Sequence, residues 1–122
     1  MLFGGLGNDS LTGGGGADTF GFGAGEYGTA NVDAIVAFSD ADGDKLDLTG
    51  LLDALYGGTQ TGAAVQLTPT GVSDITVQVD IDPGAGTDWQ NVAVLSGYNT
   101  GGSDSVDIVL NNMTNQTQTY AA

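Results

Sequence analysis

The sequence predicts a mainly all-β fold: short strands joined by glycine-rich turns at the front, capped by a β-rich region with one short helix. Three observations carry this prediction. Glycine, aspartate and a large apolar residue recur in phase every nine residues over positions 4–21. From Ala64 onward, apolar and polar residues alternate with period two, the signature of half-buried strands. Hydrophobic residues make up 40% of the 122 positions and aromatic residues only 7%, so one domain can be filled mainly by Val, Leu and Ile.

The front is the most specific part. Gly4-Gly5-Leu6-Gly7-Asn8-Asp9-Ser10-Leu11-Thr12 is followed at once by Gly13-Gly14-Gly15-Gly16-Ala17-Asp18-Thr19-Phe20-Gly21. Both fit G-G-x-G-x-D-x-U-x, with U a large apolar residue, the pattern of calcium-binding β-helix repeats. Glycines let the first six residues turn tightly, so that their carbonyls can point inward. Asp9 and Asp18 end the turns and supply charge, while Leu11 and Phe20 enter short strands and point to the core. Each nonapeptide is half of a coil, so repeats two apart stack and an ion fits between their turns. A flexible glycine-rich linker would not hold three residue types in phase. Two repeats fall short of the three or so that such a stack needs. Leu2 stands at the apolar position of a preceding, truncated repeat, so a longer array is expected upstream. The next turn, Phe22 to Tyr27, is degenerate but keeps Gly23 and Gly25 and adds the carboxylate of Glu26; it is expected to stack on the first turn. Asp33 falls in the following phase and is expected to stack on the second.

Charge points the same way. Fifteen acidic residues face a single Lys45, with no Arg and no His, for a formal net charge of −14. A compact chain of this kind repels itself in water. Either its surface is acidic and partly disordered, or bound metal supplies the missing positive charge. Nothing here would neutralise a phosphate, which sets aside nucleic acid and anionic lipid. Without Cys or His, disulfides and zinc or copper sites are not expected, and carboxylate and carbonyl oxygens are hard ligands that favour calcium. The sequence has no apolar run long enough to span a membrane and no cleavable signal peptide at its start. No nucleophile with its base can be assembled, and no arrangement suggests a paired-carboxylate glycosidase, so an enzyme is not expected.

Asn31 to Phe38 reads as a strand, with Ile35 and Phe38 buried. Four aspartates then fall within eight residues, at Asp40, Asp42, Asp44 and Asp47. They do not make an EF-hand, because Gly43 comes early and no glutamate stands at the twelfth position. Asp40 and Asp42 fit a solvated acidic turn or a metal site; Asp44 is the better ligand because the apolar strand of Leu46 and Leu48 would pin it. Thr49 to Tyr56 reads as a helix with Thr49 as N-cap, Leu51, Leu52 and Leu55 on one face, and Gly57-Gly58 as the stop. Ile75, Val77, Val79 and Ile81 alternate with Thr76, Gln78 and Asp80, then a turn leads to a return strand from Trp89 to Leu95. Asp80, Asp82 and Asp88 cluster at that turn, as hairpin acids or as a further ion site. Val106 to Leu110 reads as the last strand, and the uncharged end from Asn111 to Ala122 is left without an element.

The tandem nonapeptides, Asp33-Ala34-Ile35-Val36-Ala37-Phe38 and Asp44-Lys45-Leu46-Asp47-Leu48-Thr49 together resemble the RTX family. Within it, the likeness is to the C-terminal target domain that ends proteins exported by type I secretion, such as large bacterial adhesins. Val72-Ser73-Asp74-Ile75-Thr76-Val77 and Val92-Ala93-Val94-Leu95-Ser96-Gly97 extend the likeness over most of the chain. The resemblance implies a parallel β-roll that holds calcium between its turns, with Asp9 and Asp18 as ligands, carbonyls of Gly5, Gly7, Gly14 and Gly16 and a group at Asn8 as their partners, and support for Asp33 and Asp44. It implies roll turns and cap over residues 1–48 and a secretion-target region over 49–122, continuous with the roll. The implied module folds on calcium, is recognised by a type I exporter, and works as a secreted or bacterial cell-surface monomer without membrane insertion. A sugar- or peptide-binding adhesin module, with Trp89, Tyr98 and Tyr120 as contact residues, is the alternative. One departure stands out: the family's pattern has an aspartate where this chain has Ala37.

Overall fold

The computed structural model describes residues 2–28, 30–39, 42–56, 65–70, 73–82, 88–98, 105–109 and 117–121. Within them lie β1 (Leu2–Phe3), β2 (Ser10–Thr12), β3 (Thr19–Gly21), β4 (Asp33–Val36), β5 (Lys45–Asp47), α1 (Thr49–Tyr56), β6 (Val65–Thr70), β7 (Asp74–Asp80), β8 (Trp89–Ser96), β9 (Ser105–Val109) and β10 (Thr117–Ala121). The chain is thus mostly β with one short helix. The strands form two five-stranded sheets, ordered β1-β3-β5-β9-β10 and β2-β4-β8-β7-β6.

From β1 to β5 successive strands alternate between the sheets, and each pairs in parallel with the strand two ahead. The apolar position of the nonapeptide sets the register. Leu2 lies opposite Phe20, Phe20 opposite Leu46 and Leu46 opposite Ile108 in one sheet. Leu11, Ile35, Leu95 and Ile75 form the matching ladder in the other. Phe20, Ile35, Leu46, Leu95, Ile75 and Ile108 are fully buried. Each such side chain contributes about 1.5–3 kcal/mol of hydrophobic stabilisation. Phe38 stacks obliquely on Phe20 (centroids 6.2 Å apart) and meets Tyr98 edge-on at 5.1 Å.

Both sheets cross residue 48: β9 pairs with β5 and β8 with β4, each in parallel. Beyond these strands the pairing turns antiparallel, β10 on β9 and β6-β7-β8 as a meander, with a bulge between Val77 and Gln78. The period-two pattern explains most of β7, in which Ile75, Val77 and Val79 are buried and Asp74, Gln78 and Asp80 are less so; Thr76, expected on the polar side, is also buried.

Several expectations shift. The strand expected over Asn31 to Phe38 is confined to Asp33–Val36, because Ala37 takes φ 61° and turns the chain, sending Phe38 into the core. The helix spans its expected residues with Leu51 and Leu52 buried. Its cap is different: Leu52 N–H donates to the Leu48 carbonyl (2.9 Å) and Thr49 N–H to Asp47 Oδ1 (2.9 Å), so Thr49 is the first helical residue and not the cap. Asp47 thereby sets a negative charge at the helix N-terminus, where the dipole favours it. The uncharged end, left without an element by the sequence, supplies β10. The helix stop at Gly57-Gly58 and the residues Asp40 and Leu110 lie outside the described residues.

Candidate metal-binding turns

Because the strands alternate between sheets, successive turns fall on opposite sides of the stack. Turn one (4–9) and turn three (22–32) share one side; turn two (13–18) and turn four (37–44) share the other. Gly7 and Gly16, one repeat apart, hold φ of 99° and 83°, a region open to glycine and strained for other residues. Gly5, Gly14 and Gly25 also have positive φ.

Backbone and side chain lock the first side together. Asp9 N–H donates to Asp33 Oδ1 (3.0 Å) and Ala34 N–H to the Asp9 carbonyl (2.7 Å). Gly7 N–H donates to Asn31 Oδ1 (2.8 Å), and Val32 N–H to Asn8 Oδ1 (2.7 Å). On the second side, Asp18 N–H donates to Asp44 Oδ1 (2.8 Å), Lys45 N–H to the Asp18 carbonyl (2.9 Å) and Ser39 N–H to Asp44 Oδ2 (2.9 Å). Asp33 and Asp44 therefore hold equivalent places one coil after Asp9 and Asp18. This corrects the expected stacking of Asp33 on the second turn. Turn three runs eleven residues against six in turns one and two, so the aspartate that ends it returns beneath Asp9. Sequence reasoning missed Asn31; its signal is its place two residues before Asp33, the spacing of Gly7 before Asp9.

Among the described residues, three carboxylate oxygens are buried without a hydrogen-bond partner: Asp9 Oδ2, Asp18 Oδ2 and Glu26 Oε1. Asp33 and Asp44 are each 1% exposed and Glu26 7%. A buried charge without compensation costs several kcal/mol. The glycine that opens each turn makes room for them. A Cβ on Gly4 would stand 2.7 Å from Asp33 Oδ2 and 3.0 Å from Asp9 Oδ2; one on Gly13 would stand 2.5 Å from Asp18 Oδ2. In turn three, Gly23 N–H donates to Glu26 Oε2, curling the side chain over its own turn. Burial pushes the Asp33 carboxyl above the ordinary carboxylate range. The Asp9 N–H acts against that shift, and the charges of Asp9 and Glu26 add to it.

The donors are all oxygens, the set that suits a hard divalent ion. Among the described residues no three carboxylates converge on a single point. The acids come in pairs, Asp9 with Asp33 and Asp18 with Asp44, next to glycine turns. The residues present therefore fit calcium by donor chemistry, by the unpartnered oxygens and by the glycine cradles.

Acids elsewhere are differently placed. Asp80 Oδ1 accepts from Asp82 N–H (3.0 Å) and Asp88 N–H (2.8 Å), while Asp88 Oδ1 accepts from the Gln90 amide (2.7 Å). These bonds close the β7–β8 turn. Asp42 is exposed, its N–H on the Ser39 carbonyl and hydroxyl. The Tyr98 ring is committed to Phe38, Trp89 is half-buried in β8, and the Tyr120 side chain lies outside what is described. Among the described residues no helix is long and apolar enough to cross a membrane. Comparison with known protein families and with curated proteins finds no match.

Proposed function

We propose that this chain is a calcium-dependent folding and secretion-target module, the C-terminal target domain of an RTX protein exported by type I secretion, and not an enzyme. One observation carries the reading: Asp9 and Asp18, nine residues apart in tandem repeats, each keep a buried oxygen without a partner. On this reading the parallel strands β1 to β5 are the walls of a parallel β-roll over residues 1–48, continuous with the target region over 49–122. Asp9 and Asp33 hold calcium on one side and Asp18 and Asp44 on the other. Glu26, Asn8 and the carbonyls of Gly5, Gly7, Gly14, Gly16 and Gly25 complete the oxygen set.

Bound calcium supplies the positive charge that the sequence lacks. The chain's own residues do the rest: glycines admit the carboxylates, Asp33 and Asp44 tie successive coils together, and the apolar ladders close the core once repulsion is relieved. Extracellular calcium modules work at about 10⁻⁴–10⁻³ M, far above cytosolic levels. At about a hundredfold excess over the dissociation constant, one site stabilises by roughly 2.7 kcal/mol. Two or three sites then match the net stability of a typical domain, about 5–15 kcal/mol. Inside the cell the chain stays extended and fit to thread an exporter; outside, secreted or on a bacterial surface, it folds as a monomer.

Far-UV circular dichroism during a calcium titration tests this reading. A coil spectrum in excess EGTA should turn to β on adding calcium, with magnesium a poor substitute because it demands tighter octahedral geometry. A β spectrum already complete in EGTA would refute it.

A further inference from the structure

We propose that the Asp42-Gly43 peptide is a self-modification site: in the unfolded chain it converts to isoaspartate, and the converted chain no longer closes turn four. Its dependence on calcium rests on the calcium reading above, whereas the modification itself does not.

The fold creates the susceptible bond. Asp42 is exposed in turn four and is followed by Gly43, the only Asp-Gly pair in a sequence without Asn-Gly. Gly43 holds φ 93°, and a Cβ there would stand 3.1 Å from the Ala17 Cβ of turn two. Close approach of turn four to turn two therefore favours a residue without a side chain at this position. The same bare amide nitrogen is one that an aspartate carboxyl can reach. The Gly43 nitrogen bonds to Cγ of Asp42, a Cγ–O bond breaks, and the hydroxyl leaves as water with the amide proton. Water then opens the five-membered succinimide. Opening at the α-carbonyl routes the main chain through Cβ and Cγ and leaves a free α-carboxylate, with mass and charge restored. The first side of the stack has no such bond, since Val32 follows Asn31.

Folding opposes the first step, and the product opposes folding. Asp42 N–H is held by the Ser39 carbonyl (3.2 Å) and hydroxyl (3.3 Å), and Asp44 N–H by the same carbonyl (3.1 Å). Asp44 in turn accepts Ser39 N–H at Oδ2 (2.9 Å) and Asp18 N–H at Oδ1 (2.8 Å). These bonds fix the backbone on both sides of Gly43. The rotation that brings its nitrogen onto Cγ therefore requires the turn to open. After conversion an extra main-chain atom lies between Ser39 and Asp44, and Asp44 no longer meets both N–H groups.

Incubation of the whole chain at neutral pH, in excess EGTA and in saturating calcium, reads the conversion by peptide mapping with electron-transfer fragmentation. Isoaspartate should accumulate at Asp42 in EGTA, and severalfold more slowly in calcium. The converted chain should need severalfold more calcium to reach its circular-dichroism midpoint. Asp42→Glu, which would have to close a six-membered ring, should fold as the wild type does and stay unconverted. No isoaspartate at Asp42 in EGTA, conversion at Asp9 or Asp18 as fast as at Asp42, or an unchanged midpoint after conversion would overturn the proposal. So would equal rates in EGTA and calcium where circular dichroism shows the chain unfolded in one and folded in the other. If the chain is already β-folded in EGTA, the calcium reading alone falls. The site then stands if urea-unfolded chain converts severalfold faster than folded chain, and is overturned if the two rates are equal.

Discussion

Asp9 and Asp80 are both half-buried aspartates at the ends of strands, yet their surroundings are opposite. Asp80 receives two backbone N–H groups, from Asp82 and Asp88. At the other end of β7, Asp74 Oδ1 receives Gly97 N–H at 2.9 Å. Asp9 Oδ2 receives nothing and faces another carboxylate. The apolar groups differ in parallel. The meander packs Ile75, Val77, Val79, Ala93 and Leu95 fully inside, whereas the front leaves Phe3 65% and Leu6 73% exposed on strands and turns of minimal length. Asp74 and Asp80 in the back half are thus held by the protein's own donors. At the front, Asp9 and Asp18 each keep one carboxylate oxygen that no donor reaches.

That contrast can be broken from either end. The largest effect is expected at the front. Asp9→Ala or Asp18→Ala should raise the calcium concentration at the folding midpoint severalfold and cost about 2–3 kcal/mol at fixed calcium, with most of the loss recovered at saturating calcium. Calcium-titrated circular dichroism measures this, with Asp53→Ala as the charge control. Equal effects from all three variants would mean that bulk charge governs folding.

At the back, Asp80→Ala should cost about 1–3 kcal/mol in urea unfolding, from the orphaned N–H groups of Asp82 and Asp88. The loss should be the same at low and at high calcium above the folding midpoint. Recovery by calcium would move Asp80 into the front's class of acids.

The smallest effect sharpens the comparison at Ala37. A non-glycine residue at φ 61° carries roughly 1–2 kcal/mol of strain. Ala37→Gly should therefore stabilise by about 0.5–1 kcal/mol after glycine's entropic cost. Asn and Asp tolerate this conformation better than Ala does. Thermal unfolding at saturating calcium measures the gain; a loss with both Ala37→Gly and Ala37→Asn would refute it.

Legibility followed periodicity. Leu11, Phe20, Leu46 and the β7 alternation were readable because each repeats a pattern dictated by strand geometry. The helix over Thr49–Tyr56 was readable from its leucine face, but its cap was not: Asp47 lies before the first helical residue and acts across the Leu48 peptide. Asp33 was assigned to the wrong turn because nothing in a degenerate repeat reveals that turn three absorbs extra residues. β10 was invisible for another reason. A run of Asn, Thr and Gln has no apolar alternation, and its strand is set by the edge that β9 offers. For the candidate site, the acids themselves were legible from spacing, whereas the N–H groups that reach Asp44 and leave Asp9 Oδ2 without a donor were not. That is a tertiary fact with no sequence signature.

Amide hydrogen exchange on the whole chain, in excess EGTA and in saturating calcium, tests most directly whether calcium holds the front turns in place. Calcium-dependent folding requires that the β2–β4 and β3–β5 amides, including Ala34 and Lys45, which bond to the Asp9 and Asp18 carbonyls, exchange freely in EGTA and become protected with calcium. Protection of those amides to the same degree in both conditions would contradict it.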